Sequence, residues 1–228
     1  FSRFYVRGQF SYGGIFSGNA LDTDFGGMNR GGMTSRVKAD ADGGRVLDLS
    51  LGLGYVWYNW NGIRLIPMLG YSYYSQKLRL TEPAVLAGAG ANNLSGLDSE
   101  YYARWKGPWM GFDVFVTRFQ PWNILFAFEY HLPDYFAEAN WNLRSDFAHP
   151  KSFEHFNNGH AGHGVAGRME LEYPLSQSLL ASLSLQLQKW DTHGTDRTFF
   201  ANGTQTEVKL NAVNWQSFAS QFGVKYLF

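Results

Sequence analysis

The chain has 228 residues with 19 basic and 19 acidic side chains, so its formal net charge is zero and nothing in its charge points to a nucleic-acid partner. It contains no cysteine, which excludes disulfides and thiolate metal sites. Aromatic residues make up 18% of the chain, yet no apolar run approaches the roughly 18 residues that a membrane helix needs.

Segments of alternating apolar and polar residues recur along the chain. The clearest covers residues 45–59, RVLDLSLGLGYVWYN, in which leucines and then aromatic residues occupy every second position. Because side chains in a strand point alternately to opposite faces, this pattern predicts a strand with one apolar face. Eight such strands are predicted, over residues 3–16, 45–59, 63–81, 101–119, 123–142, 162–174, 178–191 and 213–228.

The predicted connections alternate between short and long. Short turns cover residues 60–62, 120–122 and 175–177, and long loops cover residues 17–44, 82–100, 143–161 and 192–212. This layout is typical of bacterial outer-membrane barrels, whose short turns are periplasmic and whose long loops are extracellular. We therefore expect one domain over residues 1–228 in the bacterial outer membrane, with both termini periplasmic.

The distribution of charge between the two strand faces separates a membrane barrel from a soluble, lipocalin-like barrel with an apolar lumen. The polar face carries residues of both signs, which can neutralise one another inside a narrow lumen. The fold is thus predicted as all-β, an up-and-down antiparallel transmembrane β-barrel with eight strands in this chain, and its filled lumen argues against a pore. The charged and polar residues of this face are Arg7, Asp48, Arg64, Asp113, Glu129, His131, Arg168, Glu170, Glu172 and Lys225.

Several segments resemble the omptins, the outer-membrane proteases of Gram-negative bacteria. The similarity is clearest in YYARWKGPWMGF (residues 101–112) and RFQPWNILFAFEY (residues 118–130), and it extends to IRLIPMLGY (63–71) and GVKYLF (223–228). Omptins have ten strands, and this chain begins where their third strand would begin. The resemblance thus implies ten strands if an N-terminal hairpin is missing, and eight otherwise.

The resemblance also implies a proteolytic site in which two aspartates face an Asp-x-His pair and hold the attacking water. Asp22 and Asp24 in NALDTDF match the two aspartates, although solvated loop carboxylates would show the same spacing. The positions that match Asp-x-His are Leu143 and Ser145, which cannot do acid–base chemistry. Asp146 with His149 is the nearest replacement, and the other is Glu154 with His155.

Two functions remain open from the sequence. One is a cell-surface endopeptidase that uses Asp22, Asp24, Asp146 and His149 on an exposed peptide substrate. The other is a non-catalytic barrel, acting as a structural protein or as a scaffold whose long loops bind a protein partner or ligand.

The omptin resemblance further implies lipopolysaccharide binding on the outer surface. Tyr71, Tyr73, Arg104 and Lys106 are predicted to face outward at the upper membrane edge, and Arg104 matches an omptin lipid A contact. Generic snorkelling residues are the alternative. No cofactor is expected apart from lipopolysaccharide as a required lipid. No metal is expected either, because the spacing of the loop histidines His149, His155, His160 and His163 matches no zinc motif.

Overall fold

The computed structural model describes residues 3–26, 32–88, 94–159 and 162–226. Within these ranges no helix is long and apolar enough to cross a membrane. Twelve antiparallel strands in these described ranges form one sheet. They are β1 (Phe4–Ile15), β2 (Asn19–Phe25), β3 (Met33–Tyr55), β4 (Tyr58–Trp60), β5 (Ile63–Ala87), β6 (Ser99–Val116), β7 (Asn123–His131), β8 (Asp134–Asn140), β9 (Phe153–Phe156), β10 (His163–Pro174), β11 (Leu179–Phe199) and β12 (Gln205–Tyr226).

The strands group into eight passes through the sheet, because β1 continues into β2, β3 into β4, β7 into β8 and β9 into β10. Each pass pairs with the next in chain order, from the β1–β3 ladder to the β11–β12 ladder. This is the up-and-down antiparallel topology that the sequence predicted. We call the end with the hairpins β2/β3, β5/β6, β8/β9 and β11/β12 the loop end, and the opposite end the turn end.

The sheet curls around a lumen, so that distant strands meet inside it. Arg7 of β1 forms ion pairs with Asp113 of β6 and Glu129 of β7. Trp215 of β12 donates its indole N–H to Gln76 of β5 at 3.1 Å. Within the described ranges no ladder joins β12 to β1, so each of these two strands is paired along one edge.

The two faces of the sheet differ as the alternation predicted. Leu49, Leu51 and Leu53 are 51%, 57% and 65% exposed on the outward face, whereas Ser50 between them is buried. Ion pairs of opposite charge lie inside, including Lys225 with Glu170 at 2.6 Å. The prediction of a polar lumen and an apolar exterior is confirmed, and the lipocalin-like alternative is wrong.

The strands extend further toward the loop end than the sequence predicted. β3 begins at Met33, β5 continues to Ala87, and β11 and β12 meet at a short turn near residue 202. The predicted loops 17–44 and 192–212 therefore consist largely of hairpin arms, and β9 lies within the predicted loop 143–161. Above the apolar band the outward face of β3 is charged and its lumen face carries small buried side chains such as Ala39 and Ala41, so the outward row of large apolar residues that marks a strand in the sequence is lost.

Aromatic side chains fill the middle of the lumen. Trp190 packs against Tyr74, Trp105 and His131, with ring centroids 5.0, 5.9 and 4.6 Å apart. Nearer the turn end, Trp109 lies over two glycines of the neighbouring strands, where an added Cβ would collide with its ring; these are Gly52 and Gly70. We call Tyr74, Trp105, Trp109, His131 and Trp190 the aromatic layer.

Candidate functional site

We call the part of the lumen above the aromatic layer, at the loop end, the cleft. One wall of the cleft is β2, where Asp22 follows Ala20 by two residues. Ala20 pairs with Ala39, which is buried inside the sheet. Asp22 therefore lies on the lumen side of β2 and is exposed there. Asp24 is two positions further along the same strand.

The phenol of Tyr101 on β6 lies inside this cleft, beyond the outward apolar band. Its hydroxyl is 2.6 Å from the hydroxyl of Tyr135 on β8 and 3.3 Å from Nδ1 of His155 on β9. Burial, opposed by the hydrogen bond with Tyr135 and assisted by the negative charges of Asp196 and Asp22, raises the pKa of Tyr101 to about 12. Tyr101 is thus within electrostatic range of a carboxylate on each side of the cleft.

The opposite wall of the cleft carries a histidine and an aspartate on paired strands. His155 of β9 and Asp196 of β11 are direct cross-strand partners, and Nε2 of His155 is 3.6 Å from Oδ2 of Asp196. The imidazole packs against the ring of Phe153 at 4.7 Å. Oδ1 of Asp196 is buried and has no hydrogen-bond partner among the described residues.

These groups form what we call the His–Asp site, consisting of Asp22, Tyr101, Tyr135, His155 and Asp196. An imidazole changes protonation near neutral pH, and a neighbouring carboxylate stabilises its protonated form. A second carboxylate on the facing wall is suited to orient a water molecule between the walls. The arrangement therefore has the components of general-base hydrolysis.

Asp146 and His149, the pair predicted from the sequence, lie outside this cleft and do not contact each other. Arg144 binds both carboxylate oxygens of Asp146, at 2.9 and 2.8 Å, and its guanidinium lowers the pKa of that carboxylate to about 2. Nδ1 of His149 is 2.6 Å from the amide oxygen of Asn140. Their catalytic role stays a prediction.

The second sequence alternative, Glu154 with His155, is divided between the two faces of β9. Glu154 pairs with Arg197 of β11 and with Lys151 on the outward face. Of these two residues only His155 enters the lumen. Its carboxylate neighbour there is Asp196, and not Glu154 as the sequence suggested. Asp196 was missed because it lies 41 positions further along the chain (196 − 155), and no local spacing connects the two.

The four residues predicted to bind lipopolysaccharide lie on neighbouring strands, β5 and β6. Tyr71 is 53% exposed, and the hydroxyl of Tyr73 is 2.7 Å from that of Tyr102. The Arg104 guanidinium lies over the ring of Phe136 at 4.5 Å. Arg104 and Lys106 alternate with buried neighbours, as expected for outward side chains.

The loop histidines predicted not to bind metal are separated in the structure. His149 contacts Asn140, His155 lies in the lumen, and Nδ1 of His163 is 2.6 Å from the hydroxyl of Tyr130. His160 lies outside the described residues. In the part of the chain that the structure describes, no three acidic or histidine side chains are grouped so that they could hold a metal ion.

A curled antiparallel sheet with an apolar exterior and a charged, filled lumen defines an integral outer-membrane β-barrel. Over residues 1–228 the chain matches the family described as Protochlamydia outer membrane protein, and it belongs to that family.

Among solved structures, the chain is similar to the outer membrane protease OmpT from Escherichia coli. The two share 14% identity and a TM-score of 0.79, over 99% of this chain and 79% of that chain. This match confirms the omptin-like fold. The comparison with curated proteins found no match.

Proposed function

We propose that this outer-membrane barrel is a cell-surface endopeptidase that uses the His–Asp site. The observation that carries the proposal is the cross-strand contact of His155 with Asp196, 3.6 Å apart on the wall opposite Asp22. Asp24 belongs to the proposed site through its place beside Asp22 on β2.

The proposed reaction is attack of a water molecule on a peptide carbonyl. Tyr101 can donate a hydrogen bond to the hydroxyl oxygen of Tyr135 and keep its own proton, which leaves the Nδ1 lone pair of His155 able to accept the proton of the water. Asp196 then stabilises the imidazolium, and Asp22 orients the water from the other wall. General-base catalysis of this kind contributes about 10²–10⁴-fold to a rate.

The test is cleavage of a fluorogenic peptide with paired basic residues, by refolded protein with added lipopolysaccharide. His155→Ala and Asp196→Asn should each lower kcat/KM by about 10²-fold or more. The matched controls are His149→Ala and Asp146→Asn, which change the same residue types at the loop end outside the cleft. Loss of cleavage in these controls alone would transfer the site to the pair predicted from the sequence.

The alternative is a non-catalytic barrel whose loop end binds a partner. One observation favours it: the hydroxyl of Tyr101 already lies 3.3 Å from Nδ1 of His155, so the imidazole has a partner in the absence of substrate. Absence of cleavage by the wild type, in protein shown to be folded by circular dichroism, would support this function.

We also propose that the outward patch of Tyr71, Tyr73, Arg104 and Lys106 binds lipopolysaccharide. The side chains of Arg104 and Lys106 are partly exposed, and no ion pair with a carboxylate is formed by either of them among the described residues. Guanidinium and ammonium groups without a carboxylate partner can form ion pairs with the phosphates of lipid A. Arg104→Ala with Lys106→Ala should reduce co-purified lipopolysaccharide, whereas Lys209→Ala should not; equal lipid content in both variants would contradict the assignment.

The proposed orientation has the loop end outside the cell and both termini in the periplasm. Because the chain has no cysteine, single cysteines can test it without background labelling. Asn202→Cys at the β11–β12 turn should react with an impermeant maleimide on intact cells. Gln177→Cys at the turn end should react after the outer membrane is permeabilised, and the reverse result would invert the orientation.

A further inference from the structure

A groove of about 540 Å³ lies on the outward face of β7, β10, β11 and β12, away from the patch on β5 and β6. Its centre is a cross-strand row in which Gly167 pairs with Phe128 on one side and Leu187 on the other, and Leu187 pairs with Phe218. All four residues belong to the outward face of the sheet, within the apolar band.

The groove exists because the row contains a glycine. A Cβ placed on Gly167 would meet no atom within 4 Å, so the floor between Phe128 and Leu187 is open. The walls are large apolar side chains: Leu187 is 62% and Phe218 66% exposed. A linear hydrocarbon chain fits this groove, because the walls are apolar and the floor lies where Gly167 has no side chain.

The end of the groove nearer the loop end has a single cation. Lys189 lines it beside Gln216, its cross-strand partner on β12. Lys189 has no ion pair within the described ranges, although Asp191 lies two positions further toward the loop end. An ammonium group and an amide at the edge of an apolar band are suited to bind the phosphate of a lipid headgroup.

We propose that this groove binds one anionic glycerophospholipid, with an acyl chain across Gly167 and its phosphate on Lys189. Lys189 is the one cation among the residues that line the groove, and the two phosphates of lipid A would need more than one. The groove therefore favours a glycerophospholipid over lipid A. The proposal concerns a different face of the barrel from the lipopolysaccharide patch, and it does not depend on peptidase activity.

The experiment is native mass spectrometry of the purified protein in mixed micelles. The probes are phosphatidylglycerol, phosphatidylcholine with the same acyl chains, and lipid A. Gly167→Leu fills the groove and should abolish the singly bound phosphatidylglycerol. Gly8→Leu is the matched control, because Gly8 is also an outward, exposed glycine of the apolar band, and its bound lipid should be unchanged.

Lys189→Gln should reduce the preference for phosphatidylglycerol over phosphatidylcholine by about fivefold, since one lysine near a membrane surface contributes about 1 kcal/mol toward an anionic lipid. Lys209→Gln, an exposed lysine of β12 above the band, should keep the preference. Phe218→Ala removes one wall without touching the lumen, so it tests the groove even if Gly167→Leu fails to fold.

Weaker lipid binding in Gly167→Leu or Phe218→Ala, with loss of preference in Lys189→Gln, would support the site. Phosphatidylglycerol bound equally by the groove variants and Gly8→Leu would overturn it. Equal or tighter binding of lipid A at the same groove would also overturn the proposed occupant.

Discussion

The lumen on the turn-end side of the aromatic layer and the cleft above that layer use polar groups in opposite ways. Below, Arg7 binds two carboxylates, Asp113 and Glu129, and all three side chains are buried. Above, His155 and Asp196 are 3.6 Å apart and both side chains are partly exposed.

This difference separates groups that hold the barrel together from groups that are available for chemistry. A buried charge must be paired, because an isolated ion in a region of low polarity is costly in free energy. The pairing occupies the atoms that would otherwise bind a ligand. Groups in the cleft keep some contact with solvent and therefore tolerate incomplete pairing. Mutations should accordingly affect stability below the layer and activity above it.

The largest effect is expected for Arg7→Ala, because it removes the guanidinium that contacts both Asp113 and Glu129 and leaves the two buried carboxylates close together without it. We expect a loss of about 3–5 kcal/mol in the free energy of unfolding, measured by urea titration in micelles. Arg45→Ala, at an exposed position of β3, should change it by less than about 0.5 kcal/mol. Equal stability of the two variants would show that the buried ion pairs do not hold the lumen.

The next effect concerns packing in the aromatic layer. Gly70→Ala places a Cβ against the ring of Trp109 and should cost about 1–3 kcal/mol, because the packed ring must move. The same titration should detect it, together with a change in tryptophan fluorescence. Gly8→Ala adds its methyl group on the outward face and should leave both signals unchanged.

A smaller effect is expected in the cleft itself, from Tyr101→Phe. This substitution removes a hydroxyl that lies between Tyr135 and His155 while keeping the ring. The expected cost is about 1 kcal/mol, the usual net value of one hydrogen bond. A loss as large as that of Arg7→Ala would mean that the cleft, too, is built mainly for stability.

The smallest effect is expected at Asp146, on the surface. Its pKa of about 2 lies below the ordinary value of an aspartate, so its stabilising contribution is present above about pH 4 and disappears as the pH falls through the folded-state pKa. Arg144→Gln should raise this pKa toward 3.9, as followed by carbonyl NMR chemical shifts against pH. An unchanged pKa would show that the Arg144 contact does not determine it.

The fold was predictable because lipid and lumen impose a period of two on every strand that crosses the apolar band. Residues 45–55 alternate without interruption, and the structure has a strand there. Residues 33–44 belong to the same strand, but there the charged side chains of Lys38, Asp40 and Asp42 alternate with the small, buried Ala39 and Ala41, so the strand has no large apolar outward face. Prediction therefore fails where a strand leaves the lipid and its outward face becomes charged, because the large apolar residues that mark the strand in the sequence are then missing.

The candidate site was only half predictable for a related reason. Asp22 and Asp24 lie two apart on one strand, so their spacing is visible in the sequence. His155 and Asp196 meet only because β9 and β11 pair, and a register between strands that are far apart in the chain cannot be derived from local spacing. The omptin pattern also directed attention to Asp146 and His149, which lie outside the cleft.

Among the described residues β1 and β12 are each paired along one edge, and their directions determine how the gap between them can be closed. β1 runs from the turn end toward the loop end, and β12 runs from the loop end toward the turn end. An antiparallel seam therefore forms either by direct contact of β12 with β1 or by an even number of strands between them. A single added strand would create one parallel contact in an otherwise antiparallel barrel. A hairpin, whether from the same polypeptide or from another, is thus the smallest insertion that keeps every neighbour antiparallel.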